Sequence, residues 1–176
     1  RKRINITASD RDRWIARWQK RKADGFYEPY IRNHDISSLG SKYRMCGPKS
    51  EEQSHHFLSY NEALAYSIYA FSTKVERIYD QYPLLPVTKT IAIANELGIR
   101  HPRYPVTNVY AVMSSDLIVR YKTGEIIAIA VKPENQLSKK RVKEKLAIEK
   151  AFWEVNNTKW SVLTDTKLRI QPVKTL

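Results

Sequence analysis

Asp116-Leu117-Ile118-Val119-Arg120-Tyr121, Lys122-Thr123-Gly124-Glu125, Ile126-Ile127-Ala128-Ile129-Ala130-Val131-Lys132-Pro133: this stretch decides the fold. Two apolar runs flank a short polar turn with a glycine, which reads as a β-hairpin. Asp116 opens the first strand and Lys132 closes the second. The run from Ile126 to Val131 is so uniformly apolar that both its faces are expected to be covered, as in the interior of a sheet. Side chains two apart on a strand share a face, so positions 130 and 132 point the same way. Lys132 is therefore expected to project toward whatever Asp116 binds. An ammonium ending an apolar strand is costly to bury without a partner.

Outward from the hairpin, the chain alternates helical and extended patterns. Ser59-Tyr60-Asn61-Glu62 has the form of a capping box. Leu64, Ile68 and Phe71 follow at helical spacing and predict a helix over 60–72. Val75 to Tyr79 alternates as a half-buried strand, interrupted by Pro83-Leu84-Leu85-Pro86. Thr88 is expected to cap a second helix that runs through Leu97 and closes at Gly98. Val109 to Met113 and Asp116 to Tyr121 read as two strands, or one with a bend. Lys139 to Val155 reads as a helix with Val142, Leu146 and Trp153 on one side, and Trp160 to Leu163 as a last core strand. The order predicts an α/β protein with a mixed β-sheet flanked by helices. Residues 1–50 read as a basic N-terminal arm and an irregular segment, and 51–176 as the folded domain. Within the arm, Trp14, Ile15 and Trp18 can line one side of a short helix among Arg11, Arg13, Arg17, Lys20, Arg21 and Lys22. That helix can track DNA, pack on the core through its tryptophans, or do both.

Composition bounds the partners. The 176 residues fit one domain, or one domain with an arm. Lys and Arg number 31 against 18 acids, a net charge of +13 and a pI near 9.8. So basic a domain is expected to meet a polyanion, and nucleic acid is the first choice. An anionic membrane fits less well, because no long basic helix has a clean apolar face. No apolar run approaches a membrane span, and no signal peptide is read. Cys46 is the only cysteine, so no intrachain disulfide is possible and a reducing compartment is expected. The chain begins at Arg1 rather than Met, as expected for part of a longer protein.

Some residue types carry chemistry. Cutting a phosphodiester needs an activated water and relief of charge on phosphorus. Hard divalent cations supply both and prefer carboxylate and carbonyl oxygens. Asp116 suits a first ligand. The neighbouring strand offers a side-chain ligand position at 130 and the Val131 main-chain carbonyl, and Lys132 can orient the water or neutralise the phosphate. Position 130, however, is Ala130, whose methyl offers no oxygen. Glu62 either completes the site or serves only the capping box. Asp116 and Lys132 can equally be a surface ion pair at a strand end. Lys139, Lys140, Arg141, Lys143 and Lys145 crowd the start of a helix, where cations oppose its dipole and a phosphate would relieve them. The alternative is a solvated face balanced by Glu144 and Glu149. His55 and His56 precede the Glu62 helix and are read as contacts to DNA or to the site's rim. With His34 and Cys46 they match no structural zinc spacing.

Several of these motifs recur together elsewhere. Asp on one strand and Lys on the next resemble the PD-(D/E)xK nuclease hairpin. Tyr82-Pro83-Leu84-Leu85-Pro86, Gly98-Ile99-Arg100-His101-Pro102, Met113-Ser114-Ser115-Asp116, Ala130-Val131-Lys132-Pro133, Lys145-Leu146-Ala147-Ile148-Glu149, Trp153, Trp160 and Thr164-Asp165 stand in an order similar to TnsA. TnsA proteins are the endonuclease subunits of heteromeric cut-and-paste transposases. The resemblance covers roughly residues 55–168 and implies a restriction-endonuclease-like mixed sheet flanked by helices. It implies Mg²⁺-dependent cleavage (Mn²⁺ substituting) at the 5′ ends of a transposon. The implied partners are double-stranded transposon-end DNA, a TnsB-type transposase and a TnsC-type AAA+ ATPase. A bacterial cytoplasmic, nucleoid-associated location goes with them, and so does a chain that continues past Leu176. Glu62, Asp116 and Lys132 match the family's catalytic residues, with Asp116 as its metal-binding Asp; Glu62 and Asp116 would hold the Mg²⁺. Ala130 stands where the family has Gln or Glu. Three readings of that departure stay open: a natural variant with the gap filled otherwise, a substitution made to trap uncut DNA, or a silenced DNA-binding and assembly subunit.

Overall fold

The computed structural model describes residues 5–35, 41–47, 49 and 54–170. Within these, five α-helices and six strands alternate along the chain. A four-stranded mixed sheet of β3 (Val75–Pro83), β4 (Ser114–Tyr121), β5 (Ile126–Val131) and β6 (Lys159–Leu163) runs in that spatial order. β3, β4 and β5 are antiparallel neighbours, whereas β6 lies parallel to β5. That parallel return requires a crossover, and α4 (Lys140–Val155) supplies it. The expected mixed sheet flanked by helices is thus the observed architecture.

The hairpin reading holds. Gly124 takes φ +85 in the turn, a conformation that carries little strain only for glycine. Its N–H donates to Tyr121 O at 2.9 Å and closes the connection. The apolar run of β5 is central, and residues 128–131 are buried.

Two apolar layers cover the sheet. On one face, Leu117, Val119, Ile129, Val131 and Leu163 pack with Ala63, Ala65 and Tyr66 of α2 (Tyr60–Ala70). Leu168 of α5 (Asp165–Ile170) and Phe57 of β2 (His55–Phe57) join them. On the other face, Ile118 and Ala128 pack with Ile93 and Ala94 of α3 (Val87–Glu96) and with Ile148, Phe152 and Trp153 of α4.

The N-terminal helix α1 (Ala8–Ala23) begins with a Thr7–Asp10 capping box and packs on the protein. Trp18 is buried edge-on against Tyr27 and Tyr82, at ring separations of 6.2 and 5.4 Å, and its indole N–H donates to Glu28 O at 2.8 Å. The packing reading of this helix is observed. β1 (Tyr43–Met45), within the segment read as irregular, pairs with β2 of the folded domain.

Three local expectations are corrected. Pro86, not Thr88, is the N-cap of α3, with no side-chain cap, because a proline entry already fixes the backbone there. Val109 to Met113 makes no strand. Tyr110 forms one bridge to Arg103, and Ala111 N–H donates to Pro102 O, so the segment folds back on its own loop. β3 also runs on to Pro83 rather than ending near Tyr79.

Candidate active site

β4 and β5 pair in register from Arg120↔Ile126 to Leu117↔Ile129, and then the pairing stops. Beyond that point the Asp116 carboxylate substitutes for a backbone partner: Val131 N–H donates to Asp116 Oδ2 at 2.7 Å. The sheet thus forks at Asp116, and the carboxylate sits in the fork. Lys132 enters from β5, its backbone N–H held by Leu163 O of β6 at 3.0 Å. Its Nζ donates to Asp116 Oδ2 at 2.7 Å and to Val131 O at 2.9 Å. Burial pulls this ammonium toward neutrality. The Asp116 charge and hydrogen bond outweigh it, aided by Glu149 and Glu62, and Lys132 titrates above its ordinary range.

Glu62 reaches the same region from the start of α2. Its Oε1 accepts from Ser59 Oγ at 2.8 Å, and its Oε2 accepts from Leu58 N–H at 2.9 Å and Gln81 Nε2 at 3.1 Å. The helix start is a variant capping box in which the carboxylate grips the residue before the cap. The cap reading of Glu62 is thus observed, and the same carboxylate lies within the electrostatic reach of Asp116 and Lys132. Burial first, then the nearby Asp116 charge, pushes its carboxyl up to about 7, against the Leu58 and Ser59 bonds and the Lys132 charge.

A cation already rests on this donor set. The Lys132 ammonium bridges a carboxylate oxygen and a main-chain carbonyl, two oxygens a hard divalent ion would take. The donors thus fit Mg²⁺ in kind. Among the described residues no three His, Cys, Asp or Glu side chains converge closely enough to hold a metal by themselves. Main-chain, water or phosphate oxygens would have to complete the shell. Ala130 is fully buried beside the fork and contributes none.

Three participants escaped the sequence reading. Gln81 is buried in β3 at φ +48 and holds Glu62 from below, with Ser114 Oγ donating to its Oε1 at 3.3 Å. A left-handed glutamine inside a strand leaves no sequence signal. Glu149 and Ser115 are also buried next to the fork. Glu149 had a signal, since it falls in the Val142, Leu146, Trp153 stripe where an acid is out of place.

The expected DNA contacts divide. His55 is a correction: its ring is buried, Nδ1 lies 2.7 Å from Asp80 Oδ1, and it stacks on Phe57, so it cannot reach DNA. His56 is half-buried, with its backbone N–H on Asp80 Oδ2 at 2.7 Å, and burial lowers its pKa. In α1, Arg13 is exposed but pairs with Asp10 at 2.6 Å. Arg17 lies 3.9 Å from Glu28, which also draws Arg21 and Arg32, while Lys20 is exposed. Lys139 is the N-cap of α4 without a side-chain cap bond, and Lys139, Lys140 and Lys143 are exposed. Arg141 binds Arg100 O at 2.6 Å and Glu144 at 2.8 Å. Arg100, Arg103, Lys140 and Arg141 line an open cleft beside this helix start. No described helix is long and apolar enough to cross a membrane.

Comparison with known proteins agrees with this geometry. A family model described as TnsA-like endonuclease N terminal matches residues 72–165. The chain is 34% identical over 144 residues to the Escherichia coli protein named Transposon Tn7 transposition protein TnsA, covering 81% of this chain and 51% of that one. It therefore spans about half the length of the curated relative it matches. The family match takes in the hairpin, the Asp116–Lys132 pair and all of α4, and the chain belongs to the TnsA-like endonuclease family.

Proposed function

We propose that this protein is the DNA endonuclease subunit of a transposase, cutting phosphodiesters at the 5′ ends of a transposon with Mg²⁺, or Mn²⁺ in its place. The observation that carries the reading is the seat of Lys132 on Asp116 Oδ2 and Val131 O, with Glu62 in electrostatic reach. A bound divalent cation would lower the pKa of a water and offset charge developing on phosphorus. The chain's own groups do the rest. Asp116 and the Val131 carbonyl present oxygens, and Glu62 adds negative charge under the control of Gln81 and the α2 cap. Lys132, once its two oxygens are otherwise engaged, can donate to a phosphate oxygen or hold the attacking water. Lys139, Lys140, Lys143 and the cleft arginines would take backbone phosphates, which position DNA without reading it. Sequence choice would then rest with a TnsB-type transposase, and regulation with a TnsC-type AAA+ ATPase, in the cytoplasm close to the nucleoid.

A second reading is favoured by Ala130, a buried methyl at a ligand position: a silenced subunit that binds DNA and assembles the complex. Cleavage of transposon-end DNA, with partner transposase and Mg²⁺, separates the two. Cutting by the wild-type chain, reduced at least 100-fold in Asp116→Asn or Lys132→Ala, is the expected result. Cutting only by Ala130→Gln would establish the silenced reading, and no cutting by any of the four proteins would overturn the nuclease assignment.

A further inference from the structure

Glu149 has no evident structural reason to be an acid. It is 6% exposed on the face of α4 that also buries Ile148, Phe152 and Trp153. A buried carboxylate costs several kcal/mol unless a cation or several donors compensate it. Among the described residues Glu149 has no ion pair within salt-bridge distance. Its Oε1 accepts from Ser115 Oγ at 2.6 Å, and that fully buried hydroxyl accepts in turn from Trp153 Nε1 at 2.8 Å. The Trp160 indole lies close enough to add a second donor, and both partners are neutral. An apolar side chain of similar size would fill the place at lower cost.

Its location is more informative than its partners. Ser115 immediately precedes Asp116, so Glu149 grips the strand one residue from the fork. Burial raises its carboxyl most; it also lies in the field of Asp116, whose charge raises it further, and of Lys132, whose charge lowers it. Ala128 packs on the α4 side of the sheet with Ile148 and Trp153. Strand alternation puts the Ala130 methyl on that same side. The helix that covers position 130 thus carries a buried acid, and the strand position carries none.

Charge balance points the same way. Glu62 and Asp116 bring two negative charges when ionised, and Lys132 cancels one. A divalent cation would meet a site with a net charge of −1; with Glu149 ionised the site carries −2. We propose that Glu149 is a positioning residue of the cation site. It supplies from α4 the negative charge that position 130 lacks, and through Ser115 it fixes the strand that carries Asp116. It acts through these neighbours, not as a direct ligand. The proposal rests on the cation-dependent reading above and adds one residue to it.

Mn²⁺ binding to the full chain, read by electron paramagnetic resonance and by calorimetry, tests this without any cleavage assay. Asp116→Asn should abolish binding. Glu149→Gln keeps the shape and the acceptor for Ser115 but removes the charge. It should weaken Mn²⁺ about tenfold, the effect typical of groups just outside the ligand shell, without lowering Tm. Ala130→Glu added to Glu149→Gln returns the charge from the strand and should bring affinity back close to wild type. Ala130→Glu in the wild-type background is the control: a gain there as large as in the Glu149→Gln background would mean that the two acids do not supply the same charge and would overturn the proposal. Wild-type affinity in Glu149→Gln, with binding lost in Asp116→Asn, overturns this proposal alone. Failure of the wild-type chain to bind Mn²⁺ through Asp116 overturns both this proposal and the cation-dependent reading. If Glu149→Gln lowers Tm, the double variant decides: affinity left unrestored by Ala130→Glu overturns the proposal.

Discussion

Glu149 and Glu62 make stability fall as pH rises, opposite to most carboxylates. Each has a folded pKa pushed up to about 7, mainly by burial. Below about pH 4.5 both the folded and unfolded carboxyls are protonated, and the shift contributes nothing. As pH rises toward 7 the unfolded chain ionises first, while the folded chain must hold its proton or bury a charge. The penalty is complete above the folded pKa. Glu149→Gln carries no such penalty. In chelator, its stability advantage over wild type should grow from near zero at pH 4.5 to at most about 3 kcal/mol at pH 8, by urea midpoints across the range. A constant difference across pH would mean that the carboxyl ionises normally. Gln81 gives a second test. Gln81→Leu removes the Nε2 donor to Glu62 Oε2 from a buried site and should cost about 1–3 kcal/mol of stability.

At the scale of elements, the N-terminal halves of α4 and α1 make different predictions. Lys139, Lys140 and Lys143 are exposed at a helix start, where only an external anion offsets the dipole. Replacing all three by Gln should reduce the slope of log affinity against log salt by up to about 3, if each neutralises one phosphate. The arginines of α1 are engaged with Asp10 and Glu28, so Arg13→Gln should change that slope by less. Trp18→Ala removes the anchor of α1 between Tyr27 and Tyr82 and should destabilise the protein by about 3 kcal/mol in chemical denaturation. What the sequence revealed at this scale followed periodicity. The hairpin, α2, α4 and β6 came from strong apolar patterns closed by turn or cap residues. The misses came where tertiary contacts overrode the local pattern. Val109 to Met113 looks like a strand, but Ala111 N–H donates to Pro102 O and Val109 O accepts from Tyr104 N–H, so the segment pairs with its own loop instead. His55 looks like a surface residue until Asp80, 25 positions away, draws it inside.

For the whole molecule, the charge of +13 stands as the broadest prediction. DNA binding should weaken steeply with salt, as counterion release requires, and a flat dependence would count against a backbone-binding surface. The site was legible in part for a related reason. Asp116 and Lys132 bound the two apolar runs of the hairpin, and Glu62 lies in the first turn of α2 within a capping pattern, so each shows itself in the sequence. Glu149 and Gln81 lie inside elements and Ser115 precedes the apolar run of β4, and it is three-dimensional packing that brings them to the fork.

The dual grip of Glu62 bears on how this lineage can change. Its two oxygens close the start of α2 and bind Gln81, so the residue is held in place by folding whether or not any strand is ever cut. Its persistence in a relative would therefore say little about activity. Asp116 and Lys132 cap no helix. Asp116 nevertheless closes the end of the β4–β5 ladder through Val131 N–H, so its persistence too would be partly a matter of folding.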